Sequence, residues 1–233
     1  MSVNHELETF ISKHNIVDLL PKLSESTKRS ILSDLKQSQR TVTNKSVDQG
    51  TLSMINQSVD QGTLYIFTDG GCKRNGNRNP TAAYSVFFTE NSDSPLFQFN
   101  TTQQIFTEPT NNRAELSGIL YIFKTVYENK TLFQNQNIII CTDSMYSINC
   151  IEKWSKNWLS NNWKNAKGQE VKNKELIREI LNYHNDIKNN TGLTIKFKHI
   201  FSHTAAPSDT NTLSYYLWFG NNKVDENINK LLG

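Results

Sequence analysis

From residue 64 onward, hydrophobic and polar positions recur with a period near two in some stretches and near 3.6 in others. Residues 64–68 alternate as a strand, and residues 83–89 and 97–105 read as two more. Asn-Gly-Asn-Arg-Asn-Pro between the first two is turn chemistry, so three antiparallel strands are expected. Residues 112–127 place Ala114, Ile119, Ile122, Phe123 and Val126 on one broad helical face. Residues 138–142 are a short apolar run, as in a parallel strand buried on both faces. A helix is expected from Met145, another over 174–183, a strand over 194–200 and a last helix over 222–232. Five strands interleaved with helices in this order predict an α/β domain, a mixed sheet flanked by helices.

The first 63 residues read differently. Leu7, Phe10, Ile11, His14 and Val17 keep helical spacing, Pro21 interrupts, and Ile31, Leu32 and Leu35 repeat it. A helical pair this small buries too little to stand alone, so it is expected to dock on the main domain or on a partner protein. Residues 44–55 and 56–67 are a tandem duplication sharing Ser-Val-Asp-Gln-Gly-Thr-Leu. Two copies are too few for a solenoid. The expected organisation is a helical segment at 1–40, a linker at 41–63 and the main domain at 64–233.

Composition narrows the function classes. No apolar stretch approaches the roughly 18 residues of a membrane helix, so no membrane span is expected. Residues 1–7 lack a basic region followed by an apolar run, and Cys72, Cys141 and Cys150 have no metal-type pairing. An intracellular, non-secreted protein of cytoplasm or nucleus is expected. The net charge of +3 is too small to imply a nucleic-acid partner by itself, but its distribution is uneven. Residues 153–174 hold six lysines against one acid, Glu170, interleaved with Trp154, Trp158 and Trp163. A solvated helix face explains the lysines; exposed tryptophans point to something that stacks on them.

Four carboxylates fall at element ends that a mixed sheet can bring together. Asp69 lies in Thr-Asp-Gly-Gly and Asp143 in Cys-Thr-Asp-Ser, where a turn former or a helix cap is the plain alternative. Glu115 is spaced from Asn112 as in a capping box, and Asp225 borders an apolar helix face. Carboxylates gathered on central elements repel one another, a cost that divalent cations remove. Two such metals are a standard device for in-line phosphoryl displacement.

Here the motifs carry a resemblance. Tyr-Ile-Phe-Thr-Asp-Gly-Gly-Cys-Lys-Arg-Asn-Gly, Thr-Asn-Asn-Arg-Ala-Glu, Cys-Thr-Asp-Ser-Met-Tyr-Ser-Ile-Asn and Gly-Asn-Asn-Lys-Val-Asp, in this order, resemble type 1 ribonuclease H, especially the eukaryotic catalytic domain with its basic protrusion. The resemblance covers residues 64–232. It implies a ribonuclease H-like fold and a metal-dependent endonuclease that cuts the RNA strand of an RNA/DNA hybrid, leaving 5′-phosphate and 3′-hydroxyl ends. Asp69, Glu115, Asp143 and Asp225 resemble the family's metal ligands for two Mg²⁺ ions, with Mn²⁺ a plausible substitute. His203 resembles its mobile histidine, which assists water activation or product release. Asn75 and Asn111 match the 2′-hydroxyl readers, with Gly71, Cys72, Asn112 and Met145 beside them on the RNA strand. Trp154 and Trp158 resemble the protrusion that holds the DNA strand, and Thr110 and Asn173 match positions that grip a DNA phosphate. A monomer acting on a hybrid is implied.

Two departures stand out. Glu108 occupies the place of an arginine that the animal enzymes carry beside that phosphate. Between His203 and Gly220 the chain is about a dozen residues longer than the family pattern, with Tyr215, Tyr216, Trp218 and Phe219 in the extra segment. Read as a loop over 204–219, it would gate the site through His203, and its Asp209 competes with Asp225 as fourth carboxylate. Asp225 is preferred because Gly220 and Asn221 precede it at the family spacing. The N-terminal pair does not resemble the family's small hybrid-binding domain. A hybrid-binding module without turnover and another nuclease of the same architecture remain as rival functions; the second would not need the Asn75 and Asn111 pair.

Overall fold

A computed structural model of the chain describes residues 62–233; the helical pair and most of the linker expected from the sequence lie outside these residues. Five strands form one sheet: β1 (Thr63–Lys73), β2 (Thr81–Phe87), β3 (Thr101–Ile105), β4 (Asn137–Thr142) and β5 (Thr194–His199). Their order is β3-β2-β1-β4-β5. The first three pair antiparallel, while β1–β4 and β4–β5 pair parallel, so the sheet is mixed as expected.

The helices are α1 (Asn111–Glu128), α2 (Met145–Asn149), α3 (Ser155–Ser160), α4 (Lys174–Thr191) and α5 (Leu213–Leu232). A π-helical turn, Cys150–Trp154, joins α2 to α3. The period-2 alternation of β1 gives the sheet two faces with different covers. Ile66 shares one core with Val86, Ile140 and the α1 residues Leu116, Ile119, Ile122 and Phe123. Phe67 shares the other with Phe87, Cys141 and Val224 of α5. No helix among the described residues is long and apolar enough to cross a membrane.

Among the boundaries that differ from the sequence reading, three have a local reason; β2 also sits two residues earlier than expected, and α4 runs past Tyr183 to Thr191. β1 does not end before Asp69 but runs through it to Lys73, because Gly70, Gly71 and Cys72 stay paired with β2. Residues 97–99 form a 3-10 turn, and β3 begins only at Thr101. The largest correction concerns the extra segment before Gly220. The last helix starts at Leu213, capped by Thr212 Oγ1, which accepts from the Tyr215 amide at 3.2 Å. Its aromatic residues are therefore helical. Tyr216 meets Phe67 edge-on with ring centroids 5.5 Å apart, and Phe219 meets Phe87 at 6.2 Å. The exposed loop shrinks to residues 200–212, and the gating loop over 204–219 does not exist as such.

Candidate active site and nucleic-acid surface

The parallel pairing of β1 and β4 builds the centre of the site. Phe67 pairs with Cys141 as the last matched positions, so two residues further Asp69, inside β1, stands level with Asp143, just past the end of β4. Alternation puts Asp69 on the Phe67 side, toward α5, whereas Gly70 faces α1. That Gly70 has no side chain is decisive here: a Cβ would collide with the backbone of Ala114 and Glu115. The missing atom lets α1 press its first turn against the strand and deliver Glu115 beside Asp69. One oxygen each from Asp69, Glu115 and Asp143 then lies within 4.8 Å of the others. Asp225 joins from α5, lining the same cleft of about 310 Å³. Gly220 fixes the height of that helix, since a Cβ there would sit 2.5 Å from the Phe67 ring.

The plain alternatives for these residues fail on geometry. Helix α1 is capped by Thr110, whose Oγ1 accepts from the Arg113 amide at 3.2 Å, so Asn112 and Glu115 form no capping box. Helix α2 is capped by Ser144, accepting from the Ser147 amide, and not by Asp143. Asp209 accepts from the Asn211 amide at 2.9 Å in the exposed loop and is not among the residues lining the cleft.

Burial makes this cluster costly without a cation. Desolvation, then the Asp143 charge, push the Asp69 carboxyl up to about 7; the Gly70 amide, donating to Asp69 Oδ1 at 2.7 Å, offsets part of the rise, and Asp225 adds to it. Glu115 is held well above the ordinary carboxylate range, by burial first and then by Asp69 and Asp143. Glu115 is only 4% exposed, and its Oε2 has no hydrogen-bond partner among the described residues. Hard oxygen donors, mutual repulsion and an unpartnered buried carboxylate oxygen fit a divalent cation such as Mg²⁺ or Mn²⁺.

Of the other residues singled out from the sequence, His203, Gly71, Cys72 and Asn111 line the same cleft, whereas Asn75, Asn112 and Met145 do not. His203 is exposed, with a left-handed backbone (φ 54°). Asn75 lies in the turn between β1 and β2, and Met145 is 41% exposed at the start of α2. Phe201 and Asn221, to which the sequence reading gave no role of their own, also line the cleft, as does Trp218 of the extra segment. Trp218 Nε1 donates to the Thr204 carbonyl at 3.0 Å, so α5 holds the chain next to His203.

The basic segment forms a second surface. Its tryptophans make a graded row: Trp163 is buried, Trp158 is half-buried against the core, and Trp154 is 39% exposed, with centroids 6.1 and 5.9 Å apart. Lys174 pairs with Glu170 at 2.7 Å, while Lys153, Lys156, Lys167 and Lys172 are exposed and make no ion pair within the described residues. Nearby, Arg113 connects the two candidate phosphate residues. It follows the cap Thr110, and its Nη1 donates to Asn173 Oδ1 at 3.1 Å. The same guanidinium meets Glu175 at 2.6 Å and Glu108 at 3.6 Å. Glu108 thus places a carboxylate beside that arginine.

Comparison with known proteins agrees with this geometry. A family model described as RNase H matches residues 61–228. Human ribonuclease H1 is 37% identical over 111 residues, 47% of this chain and 35% of that protein. The ribonuclease H of Clostridium botulinum is 35% identical over 123 residues, 51% of this chain and 75% of that protein. A solved foamy viral protease-reverse transcriptase in complex with dsDNA aligns at 17% identity with a TM-score of 0.48, over 72% of this chain and 92% of that one. With the family match spanning the sheet, the carboxylate cleft and most of α5, this chain belongs to the ribonuclease H family, in its type 1 branch.

Proposed function

We propose that the chain is a divalent-metal-dependent endonuclease that hydrolyses the RNA strand of RNA/DNA hybrids, with 5′-phosphate and 3′-hydroxyl products. One observation carries the reading: oxygens of three carboxylates converge within 4.8 Å of one another, and buried Glu115 keeps an oxygen with no hydrogen-bond partner among the described residues. Asp69, Glu115, Asp143 and Asp225 would hold two Mg²⁺ ions. Bound there, the ions would supply Lewis-acid stabilisation of the charge that builds on phosphate oxygens.

The rest of the work belongs to the chain itself. Asn111 at the cleft and Asn75 at the β1–β2 turn offer amides to 2′-hydroxyls, the group that separates RNA from DNA. Gly71 and Cys72 bring strand backbone close to that path, with Asn112 and Met145 flanking it. His203, exposed at the cleft mouth, exchanges a proton with water or product. The Trp154 ridge and its free lysines carry the DNA strand, and Thr110 with Asn173 marks the place of one of its phosphates.

The direct test is incubation of the chain with end-labelled RNA/DNA hybrid, duplex DNA and duplex RNA, with and without Mg²⁺. RNA-strand cleavage of the hybrid alone, only with Mg²⁺, is the expected result. Binding of hybrid without cleavage would leave a binding module, and cleavage of duplex DNA would indicate another nuclease of this architecture.

The graded tryptophan row gives a separable expectation. Trp154→Ala removes an exposed ring and should weaken hybrid binding by roughly 1–3 kcal/mol with little change in Tm. Trp158→Ala removes a ring seated on the core, so both Tm and binding should fall. Filter binding and thermal melting on the two variants check this; a large Tm loss for Trp154→Ala would make that ring structural.

A further inference from the structure

Two residues that line the cleft each carry a buried side-chain oxygen with no hydrogen-bond partner among the described residues, Glu115 at Oε2 and Asn221 at Oδ1. The first belongs to a carboxylate already assigned to the cation site. The second belongs to a neutral amide that is 8% exposed, on α5, one turn before Asp225 and on the same helix face. The next residue, Asn222, is satisfied, donating through Nδ2 to Glu226 at 2.8 Å. Asn221 Oδ1 has no such partner among the described residues, on a helix that Gly220 lets approach the Phe67 ring.

An amide oxygen in this place needs a donor. Once a cation has displaced the protons that Asp69 and Glu115 hold without it, the carboxylates offer none, since ionised they only accept. A hydrated divalent cation satisfies both kinds of oxygen: its charge draws the carboxylates, and the waters it holds donate hydrogen bonds. We infer that Asn221 is a fifth oxygen of the cation site, its Oδ1 accepting a hydrogen bond from a water held by the divalent ion. Asn221 is thereby a positioning residue that orients the hydrated ion, and the assignment rests on the cation reading proposed above.

The test is calorimetric titration of the metal-free full chain with MnCl₂ or MgCl₂ alone, without nucleic acid. It compares wild type, Asn221→Leu, Asn221→Asp, Asn149→Leu and Asp143→Asn. Asn221→Leu should raise the cation Kd about tenfold or more, the scale for losing an outer-shell partner. Its metal-free Tm should hold or rise, because an apolar group of similar size replaces an unpartnered polar one. Asn221→Asp keeps an oxygen acceptor and should bind the cation at least as tightly as wild type. Asn149 also has a buried, unpartnered Oδ1 but does not line the cleft, so Asn149→Leu should leave the Kd unchanged.

A wild-type Kd in Asn221→Leu overturns the inference. So does an equal loss in Asn221→Asp, which would assign the role to the Nδ2 donor, or an equal loss in Asn149→Leu, which would make the effect one of general packing. If Asn221→Leu does not fold, Asn221→Ala supplies the same comparison. Wild-type binding that vanishes in Asp143→Asn but persists in Asn221→Leu keeps the cation site and removes Asn221 from it. No cation binding by wild type would sink the cation reading itself.

Discussion

Asp143→Asn should cut RNA-strand cleavage by roughly 10²–10³-fold, the scale on which losing one preorganised electrostatic group raises a barrier. The substitution keeps shape and volume and removes one of the three charges that meet within 4.8 Å. Helix α2 should survive, because its cap is Ser144 and not Asp143. Hybrid binding should also survive, since the Trp154 ridge and the Arg113 cluster lie on other elements. A third readout separates loss of chemistry from misfolding. The Asp143 charge is the second-largest cause raising the Asp69 carboxyl, so its removal should lift the Tm of the metal-free protein at pH 8. Single-turnover cleavage, filter binding and melting together check this; cleavage within tenfold of wild type would remove Asp143 from the reaction.

Most of the sheet and the carboxylate cluster were legible in the sequence because they rest on local signals. An apolar run such as 138–142 announces a buried parallel strand, and the ordered motifs around Asp69, Glu115, Asp143 and Asp225 mark a family. What was not legible depends on contacts across the fold. Tyr215 to Phe219 read as a loop because the family pattern is short there; only Phe67 and Phe87 on the facing sheet explain why that stretch is helix. Glu115 read equally as half of a capping box until Thr110 proved to be the cap. Asn221 stood in a quoted motif, four residues before Asp225, and the helical spacing could have placed it beside that carboxylate. Its burial and missing partner, which give it a role, belong to the packing of α5 on β1.

The same burial that makes the cluster a cation site should tie the protein's stability to pH in a direction unusual for acids. A carboxyl usually ionises more easily in a folded protein, so stability falls on acidification. Here the folded state raises the Asp69 carboxyl to about 7 and holds Glu115 well above its ordinary range. Between about pH 4 and 7 the unfolded chain therefore loses protons that the folded chain retains, and the stability of the metal-free protein falls as pH rises through that window. For Asp69 the full shift corresponds to roughly 4 kcal/mol at most, or a Tm lower by about 5 °C or more at pH 8 than at pH 5 for a domain of this size. A divalent cation binds the ionised cluster in the folded state only, so it stabilises by mass action and competes with the protons. Millimolar Mg²⁺ should thus raise the Tm much more at pH 8 than at pH 5. Asp69→Asn isolates the cause: it should raise the metal-free Tm at pH 8, leave it nearly unchanged at pH 5, and reduce the Mg²⁺ response. A metal-free Tm in wild type that climbs steadily from pH 5 to 8, with Asp69→Asn following the same curve, would show that these carboxyls ionise freely and that the cluster is not strained without its cation.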